Sequence, residues 1–258
     1  VGDAFGRQLA GRVRSGLLTV GRHDAQISVK DSQLSARGIR AKVVTPRGEC
    51  ELESPLVGEH NLENLLVALG VLVALGAAPK LAAQALSLAP QVPGRLERCE
   101  GPNDDVLVVV DYAHTPDALA RVLTAVRALG NGRALCVFGC GGDRDPKKRA
   151  PMGEAVGRGA DYAYVTSDNP RSEAPQAIVD AILPGLQAAS AAYEVELDRA
   201  AAIEKAILAA RPGDVVLIAG KGHEDYQIVG GEKRHFDDRE EARRALAVRS
   251  GSARTNQQ

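Results

Sequence analysis

The feature that most limits the fold of this chain is a set of short apolar runs separated by helical patterns. Residues 106–111, 134–138, 163–166 and 215–219 are almost wholly apolar and rich in valine. Each is too short for a buried helix, and β-branched residues favour strands. A strand that is apolar on both sides must be buried on both faces. A parallel sheet covered by helices is the arrangement that achieves this. The predicted class is therefore α/β with a mostly parallel sheet.

Helix signals fall between these runs. Thr115 is placed to cap a helix with Pro116 as its first residue, closing near Gly130. Further helices are predicted around 152–156 and over 175–188, and one capped by Asp198 runs to Arg211. Residues 227–229 and 233–236 suggest a hairpin around Gly230 and Gly231, followed by a helix over 238–248 and a frayed tail at 249–258.

The first part of the chain reads differently. Alternating stretches at 16–20, 25–30, 39–45 and 49–54 predict four strands, with Pro46-Arg47-Gly48 as a turn. Leu62, Leu65, Leu66, Leu69, Leu72 and Val73 lie on one stripe of a helix over 61–76, and a second helix is expected over 80–88. Four strands over two helices resemble the later half of a larger domain. Gln91-Val92-Pro93-Gly94 reads as a hinge, giving predicted units 1–94 and 95–258. The chain opens at Val1 with its one methionine at 152, so it reads as a piece of a longer protein.

A net charge of -1 gives no electrostatic footprint for nucleic acid or an acidic membrane surface. No apolar run approaches the ~20 residues of a membrane span, and no signal peptide is read. Cys50, Cys99, Cys136 and Cys140 lack metal-ligand spacing and read as reduced thiols.

Polar residues gather where the predicted strands end, the place where open α/β sheets bind ligands. Asp168-Asn169-Pro170-Arg171 sets a carboxylate, an amide and a guanidinium on a turn stiffened by proline. Such a pair suits a zwitterion, with Asp168 for an ammonium and Arg171 for a carboxylate. The plainer reading is a turn closed by a local Asp–Arg pair. Asp111 could hold a ribose, and His114 either orients a ligand or caps the next helix. Gly139 to Asp145 is a glycine-rich loop that carries Arg144, fit for an anion or simply a tight turn. Gly220-Lys221-Gly222-His223-Glu224 lacks the earlier glycine and the Ser/Thr of a phosphate-binding P-loop. Glu224 could take an ammonium or stay a solvated acid. Together these loops aim Asp, His, Arg, Asn and Glu at one crevice.

The runs Val110-Asp-Tyr-Ala-His-Thr-Pro-Asp117, Phe138-Gly-Cys-Gly-Gly-Asp-Arg-Asp145 with Lys148-Arg149, Ser167-Asp-Asn-Pro-Arg171 and Ala219-Gly-Lys-Gly-His-Glu-Asp-Tyr-Gln227 resemble signatures of the Mur ligase family, in its diaminopimelate-adding branch. The resemblance spans nearly the whole chain. It implies that residues 1–94 are the later half of a central ATPase domain and that 95–258 form a Rossmann-like amino-acid-binding domain. It further implies an amide ligation in peptidoglycan synthesis. ATP phosphorylates the D-glutamyl carboxylate of a UDP-N-acetylmuramoyl dipeptide, and the amine of meso-diaminopimelate attacks the acyl phosphate. By matching positions, Arg144, Asp168, Asn169, Arg171, Gly220 and Glu224 would hold meso-diaminopimelate. Asn61, Asn64, Arg95 and Asp111 would serve ATP, with His114 nearby as a candidate orienter. Arg171 favours diaminopimelate over lysine, since a site built for a polar group rejects an analogue lacking it by roughly 10⁴–10⁵-fold.

The family's P-loop, its carbamylated lysine, its metal ligands and its nucleotide-sugar domain have no counterpart here. Mg²⁺ is expected for the complete enzyme with no ligand assigned, and the isolated chain is expected not to ligate. The further expectations are a cytoplasmic monomer acting on small molecules. The alternatives are a non-catalytic truncated binding module, or a lysine-adding or folylpolyglutamate-type ligase.

Overall fold

The computed structural model describes residues 1, 3–101 and 105–255. Contacts divide the chain after Gln91. In the first unit, α1 (Ala4–Ala10) begins where the Asp3 side chain accepts a hydrogen bond from Gly6 N at 2.6 Å. This helix was not anticipated. Strands β1 (Ser28–Ser35), β2 (Gly38–Thr45) and β3 (Gly48–Ser54) form an antiparallel sheet in that order. The stretch 16–20 is not a strand. Val20 meets Ile27 only through an isolated bridge. Thr19 and Gln26 bond each other's backbone N–H through their side chains at 3.0 and 2.9 Å, which takes the place of a ladder. The predicted strand 25–30 starts later, and its alternation is broken by an irregularity between Val29 and Asp31.

Helix α2 (Glu59–Ala74) buries Leu62, Leu65, Leu66, Leu69 and Val73, and α3 (Pro79–Ser87) starts on proline. Both cover the sheet over Ile39, Val43 and Leu52, all wholly buried. Burying such side chains contributes roughly 1.5–3 kcal/mol each.

The second unit is built on a six-stranded sheet. Its elements are β4 (Glu97–Cys99), β5 (Leu107–Asp111), α4 (Pro116–Arg127), β6 (Ala134–Phe138), α5 (Arg149–Gly159), β7 (Tyr162–Val165), α6 (Pro175–Ala188), β8 (Tyr193–Val195), α7 (Arg199–Ala209) and β9 (Val215–Ala219). A hairpin of β10 (Tyr226–Val229) and β11 (Glu232–His235) and the helix α8 (Asp238–Thr255) follow. The strand order is β4-β5-β9-β6-β7-β8, parallel except for β4. Val108, Val110, Val137, Val216 and Ile218 share a core with Ala202, Ile203, Ala245 and Leu246 of α7 and α8. Alternate residues turn to the opposite face, where α4, α5 and α6 pack on one another.

The caps at Thr115 and Asp198 form as expected, accepting from Ala118 N at 3.3 Å and Ala200 N at 2.9 Å. Over 249–255 the predicted fraying does not occur, since α8 continues to Thr255. Arg249 anchors it, donating to Asp105 at 2.6 Å and to the carbonyls of Ile207 and Ala210, which close α7. Residues 256–258 lie outside the described residues. Among the described residues, no helix is long and apolar enough to cross a membrane.

Candidate functional site

Because β9 inserts between β5 and β6, the chain leaves the carboxyl ends of adjacent strands in different directions, which opens a crevice there. The loops after β5, β6, β7 and β9 all line one cavity of about 370 Å³. His114, Arg144, Asp168, Asn169, Arg171, Gly220 and Glu224 are on its wall. Sequence reasoning placed these residues at four strand ends, and the sheet order brings them together.

The floor is a buried polar cluster. Lys221 is wholly buried, and its Nζ lies 3.2 Å from Asp168 Oδ1, 3.2 Å from Asn169 Oδ1 and 3.8 Å from Glu224 Oε2. Asn169 Nδ2 donates to Glu224 Oε2 at 2.9 Å, and Asn169 Oδ1 also accepts from Ile228 N at 2.9 Å. Gln227 Nε2 donates to Asp168 O at 2.9 Å. Every polar atom of the Asn169 side chain is thus engaged, as burial requires.

Arg171 does not pair with Asp168. Its Nη1 donates to Gly142 O at 2.8 Å and Asn169 O at 3.4 Å. Its backbone has φ +54°, a left-handed conformation that costs of order 1 kcal/mol outside glycine. The conformation is held by bonds to the β10–β11 hairpin, Arg171 N to Ile228 O at 3.0 Å and Gly230 N to Arg171 O at 2.8 Å. The hairpin therefore fixes where the guanidinium is presented.

The glycine-rich loop lies flush on this turn. Gly142 N donates to Asn169 O at 2.9 Å, and a Cβ at Gly142 would overlap the Pro170 carbonyl. Asp143, also left-handed, accepts from Ser172 Oγ at 2.6 Å, and that bond holds its carboxyl below the usual range. Glu173 bonds Asp143 N at 2.6 Å and Arg149 at 2.7 Å. Its carboxyl is held low chiefly by Arg149. Arg144 stays exposed, its Nη1 3.4 Å from its neighbour's carbonyl. Its charge is available at the rim.

Asp111 accepts from Leu96 N and Ala113 N, both at 2.8 Å, one through each oxygen. The Arg95 guanidinium lies 4.7 Å over the Tyr112 ring, and His114 Nδ1 is 2.7 Å from Tyr112 O. His114 does not cap α4, a task taken by Thr115. In the first unit, Asn61 Nδ2 donates to Val57 O at 2.8 Å and its Oδ1 accepts from Asn64 at 3.4 Å. Among the described residues, no group of three or more His, Cys, Asp or Glu is placed to hold a metal ion.

The description "Mur ligase, glutamate ligase domain" matches residues 94–222, and "Mur ligase middle domain" matches 3–72. The chain belongs to the Mur ligase family. It is 52% identical over 225 residues to the UDP-N-acetylmuramoyl-L-alanyl-D-glutamate–2,6-diaminopimelate ligase of Gloeobacter violaceus, covering 87% of this chain and 46% of that protein. The ligase of the same name from Thermosynechococcus vestitus is 50% identical, covering 96% and 50%. A solved structure of a ligase with that name superimposes with a TM-score of 0.68 at 38% identity, covering 87% and 46%. A UDP-N-acetylmuramate-alanine ligase from Thermotoga maritima shares the fold at TM-score 0.64 and 20% identity, covering 92% and 48%. The chain spans about half the length of the curated relatives it matches.

Two residues of this Mur ligase chain escaped sequence reasoning. In the sequence Lys221 stands out only as part of a loop that fails as a P-loop, yet it is the centre of the buried cluster. Arg199, wholly buried, donates to Ala219 O at 3.0 Å and Ser167 O at 3.4 Å, tying together the backbone at two loop starts. The one available signal is a charged residue at the start of a helix, directly after its Asp198 cap, which is usually a solvated end.

Proposed function

We propose that this chain is the amino-acid-binding part of an ATP-dependent ligase that adds meso-diaminopimelate to UDP-N-acetylmuramoyl-L-alanyl-D-glutamate in peptidoglycan synthesis. The observation that carries this reading is one cavity with a cationic wall, Arg171 and Arg144, and an acid, Glu224, on another loop. A zwitterion with charge at both ends fits such a wall. Arg171 and Arg144 would hold carboxylates. Glu224 and the Gly220 carbonyl would hold an ammonium, while Asn169 and Asp168 shape the floor. His114, at the cavity wall, would orient the bound amino acid.

The matched relatives are about twice as long, so ligation belongs to the full-length ligase in the cytoplasm and binding to this chain. ATP supplies the phosphoryl group that activates the acceptor carboxylate. Arg95 fits a nucleotide in kind, with an exposed guanidinium supported by Tyr112. Asp111 would help by keeping the backbone at Leu96 and Ala113 in place, whereas in the first unit the Asn61 amide is already spent on Val57 O and Asn64. No residue is assigned to Mg²⁺.

Calorimetry of the chain with meso-diaminopimelate and with L-lysine tests the reading. Binding of meso-diaminopimelate is expected with a preference of roughly 100-fold or more, which is what a charge-assisted bond of ~3 kcal/mol supplies. Equal affinity for the two, or no heat with either, would overturn it.

A further inference from the structure

We propose that Lys221 is a positioning residue for ligand selection. Its buried ammonium engages Asp168 and fixes Asn169, which leaves Glu224 as the acid that selects the ligand's ammonium group. The inference rests on the amino-acid-binding reading above and deepens it.

Two carboxylates, Asp168 and Glu224, lie within 4 Å of one nitrogen that solvent does not reach. Asp168 is the nearer at 3.2 Å and is almost buried itself. Glu224 is at 3.8 Å and keeps 21% of its side chain exposed. One cation offsets one anion, so a single negative charge remains, and it is on the acid that reaches the cavity. A ligand ammonium is therefore drawn to Glu224. The same nitrogen bonds Asn169 Oδ1, which turns the Asn169 amide so that Nδ2 meets Glu224 Oε2 at 2.9 Å. Lys221 thus orients Glu224 through Asn169 without touching the ligand. Gly220 and Gly222, both at positive φ, let the chain turn a lysine inward at this point.

Other charged and titratable groups surround the cluster. Arg199 of α7 acts on Asp168 across the strand ends, and Cys140 after β6 feels the same carboxylate. The Tyr226 ring of β10 lies 5.6 Å from Lys221 Nζ, and its hydroxyl is influenced most by Glu224, and also by Arg171 and Tyr112. His114 lines the same cavity. Loss of the ammonium would leave two acids without the cation they share, and like charges in one site make one take up a proton more readily. A protonated Glu224 no longer attracts a cation.

The test compares wild type with Lys221→Gln and Lys221→Met by calorimetry with meso-diaminopimelate at pH 8 and pH 5.5. Lys221→Gln keeps hydrogen-bond donors and guards against a failure of Lys221→Met to fold. Both variants are expected to bind about tenfold more weakly at pH 8, and the deficit relative to wild type should widen about tenfold further at pH 5.5. Only the ratio of variant to wild-type affinity is diagnostic, since it cancels changes common to all three proteins. A merely structural role would give a ratio that does not change with pH, and that result overturns the proposal. A ligand-free arm follows the Asn169 side-chain amide by NMR, with slow exchange expected in wild type and fast exchange in the variants. Fast exchange of this amide in wild type, or slow exchange retained in the variants, also overturns it. Absence of heat with wild type would sink the amino-acid reading alone, since the NMR arm still decides the role of Lys221.

Discussion

Arg199 and Asp238 meet in a two-point ion pair, Nε to Oδ1 and Nη2 to Oδ2, each at 2.7 Å, with neither side chain exposed. Burial works against the guanidinium charge, and Asp238 outweighs it, raising the arginine's pKa. The pair joins the start of α7 to the start of α8, and Arg199 also bonds the carbonyls of Ser167 and Ala219. Removing one partner of a buried pair costs about 3–5 kcal/mol, because the other charge is stranded. Arg199→Met is therefore expected to lower stability by that amount in urea denaturation. Arg199→Met with Asp238→Leu should cost less than Arg199→Met alone.

Gly94 and Gly222 face each other across a backbone contact. Both have positive φ, and a Cβ on Gly94 would overlap the backbone of Gly222 and His223. Gly230 has positive φ with open space around it. Gly230→Ala should cost about 1 kcal/mol from backbone strain alone. Gly94→Ala should cost at least ~2 kcal/mol more, as the contact must open. Equal shifts in the urea midpoint would contradict the close approach.

Arg171→Met tests the cationic wall. It removes the guanidinium and leaves Gly142 O without its donor. Affinity for meso-diaminopimelate is expected to fall by roughly 100-fold while affinity for lysine changes little. Parallel losses for both ligands in calorimetry would show that Arg171 shapes the loop and does not read the carboxylate.

Asp214 closes the opposite end of the sheet. Burial pushes its carboxyl up, but donors from Arg133 (N, Nε and Nη2) and from Arg211 N, at 2.7–3.0 Å, outweigh this and hold it below its ordinary value. A folded-state pKa below the unfolded ~3.9 gives stability that is present above about pH 4 and lost as pH falls through the folded value. The stability gap between wild type and Asp214→Asn should be about 2 kcal/mol and flat from pH 5 to 7. It should then shrink on acidification below pH 4. A gap that grows in acid would reverse the sign assigned here.

The four cysteines are free and buried. Burial pushes the thiols of Cys99, Cys136 and Cys140 up to about 12, and it raises that of Cys50 as well. The thiolate is the reactive form. A thiol reagent at pH 8 should label none of them in the native protein and all four after denaturation. Labelling of native Cys140 would show that the cavity wall opens.

Much of the second unit was legible because its signals are local. The apolar runs that became β5, β6, β7 and β9 show their burial in composition alone, and Thr115 and Asp198 announce helices by capping chemistry. The three-residue edge strands β4 and β8 were not legible, because so short a segment carries no periodicity. Nor was the failure of 16–20 to pair. That outcome turned on Thr19 and Gln26 satisfying backbone groups a ladder would otherwise have used.

The sequence by itself determined the strand–helix alternation, the loops that bear polar residues, and the family to which those loops belong. These follow from side-chain character and spacing along a few residues. Only the tertiary structure decided that β9 lies between β5 and β6. With that order came the meeting of Lys221 with Asp168 and Asn169 from more than 50 residues earlier, and of Arg199 with Asp238. Such pairings depend on which distant strands become neighbours. That is settled by the burial of both sheet faces at once, and no local pattern encodes it.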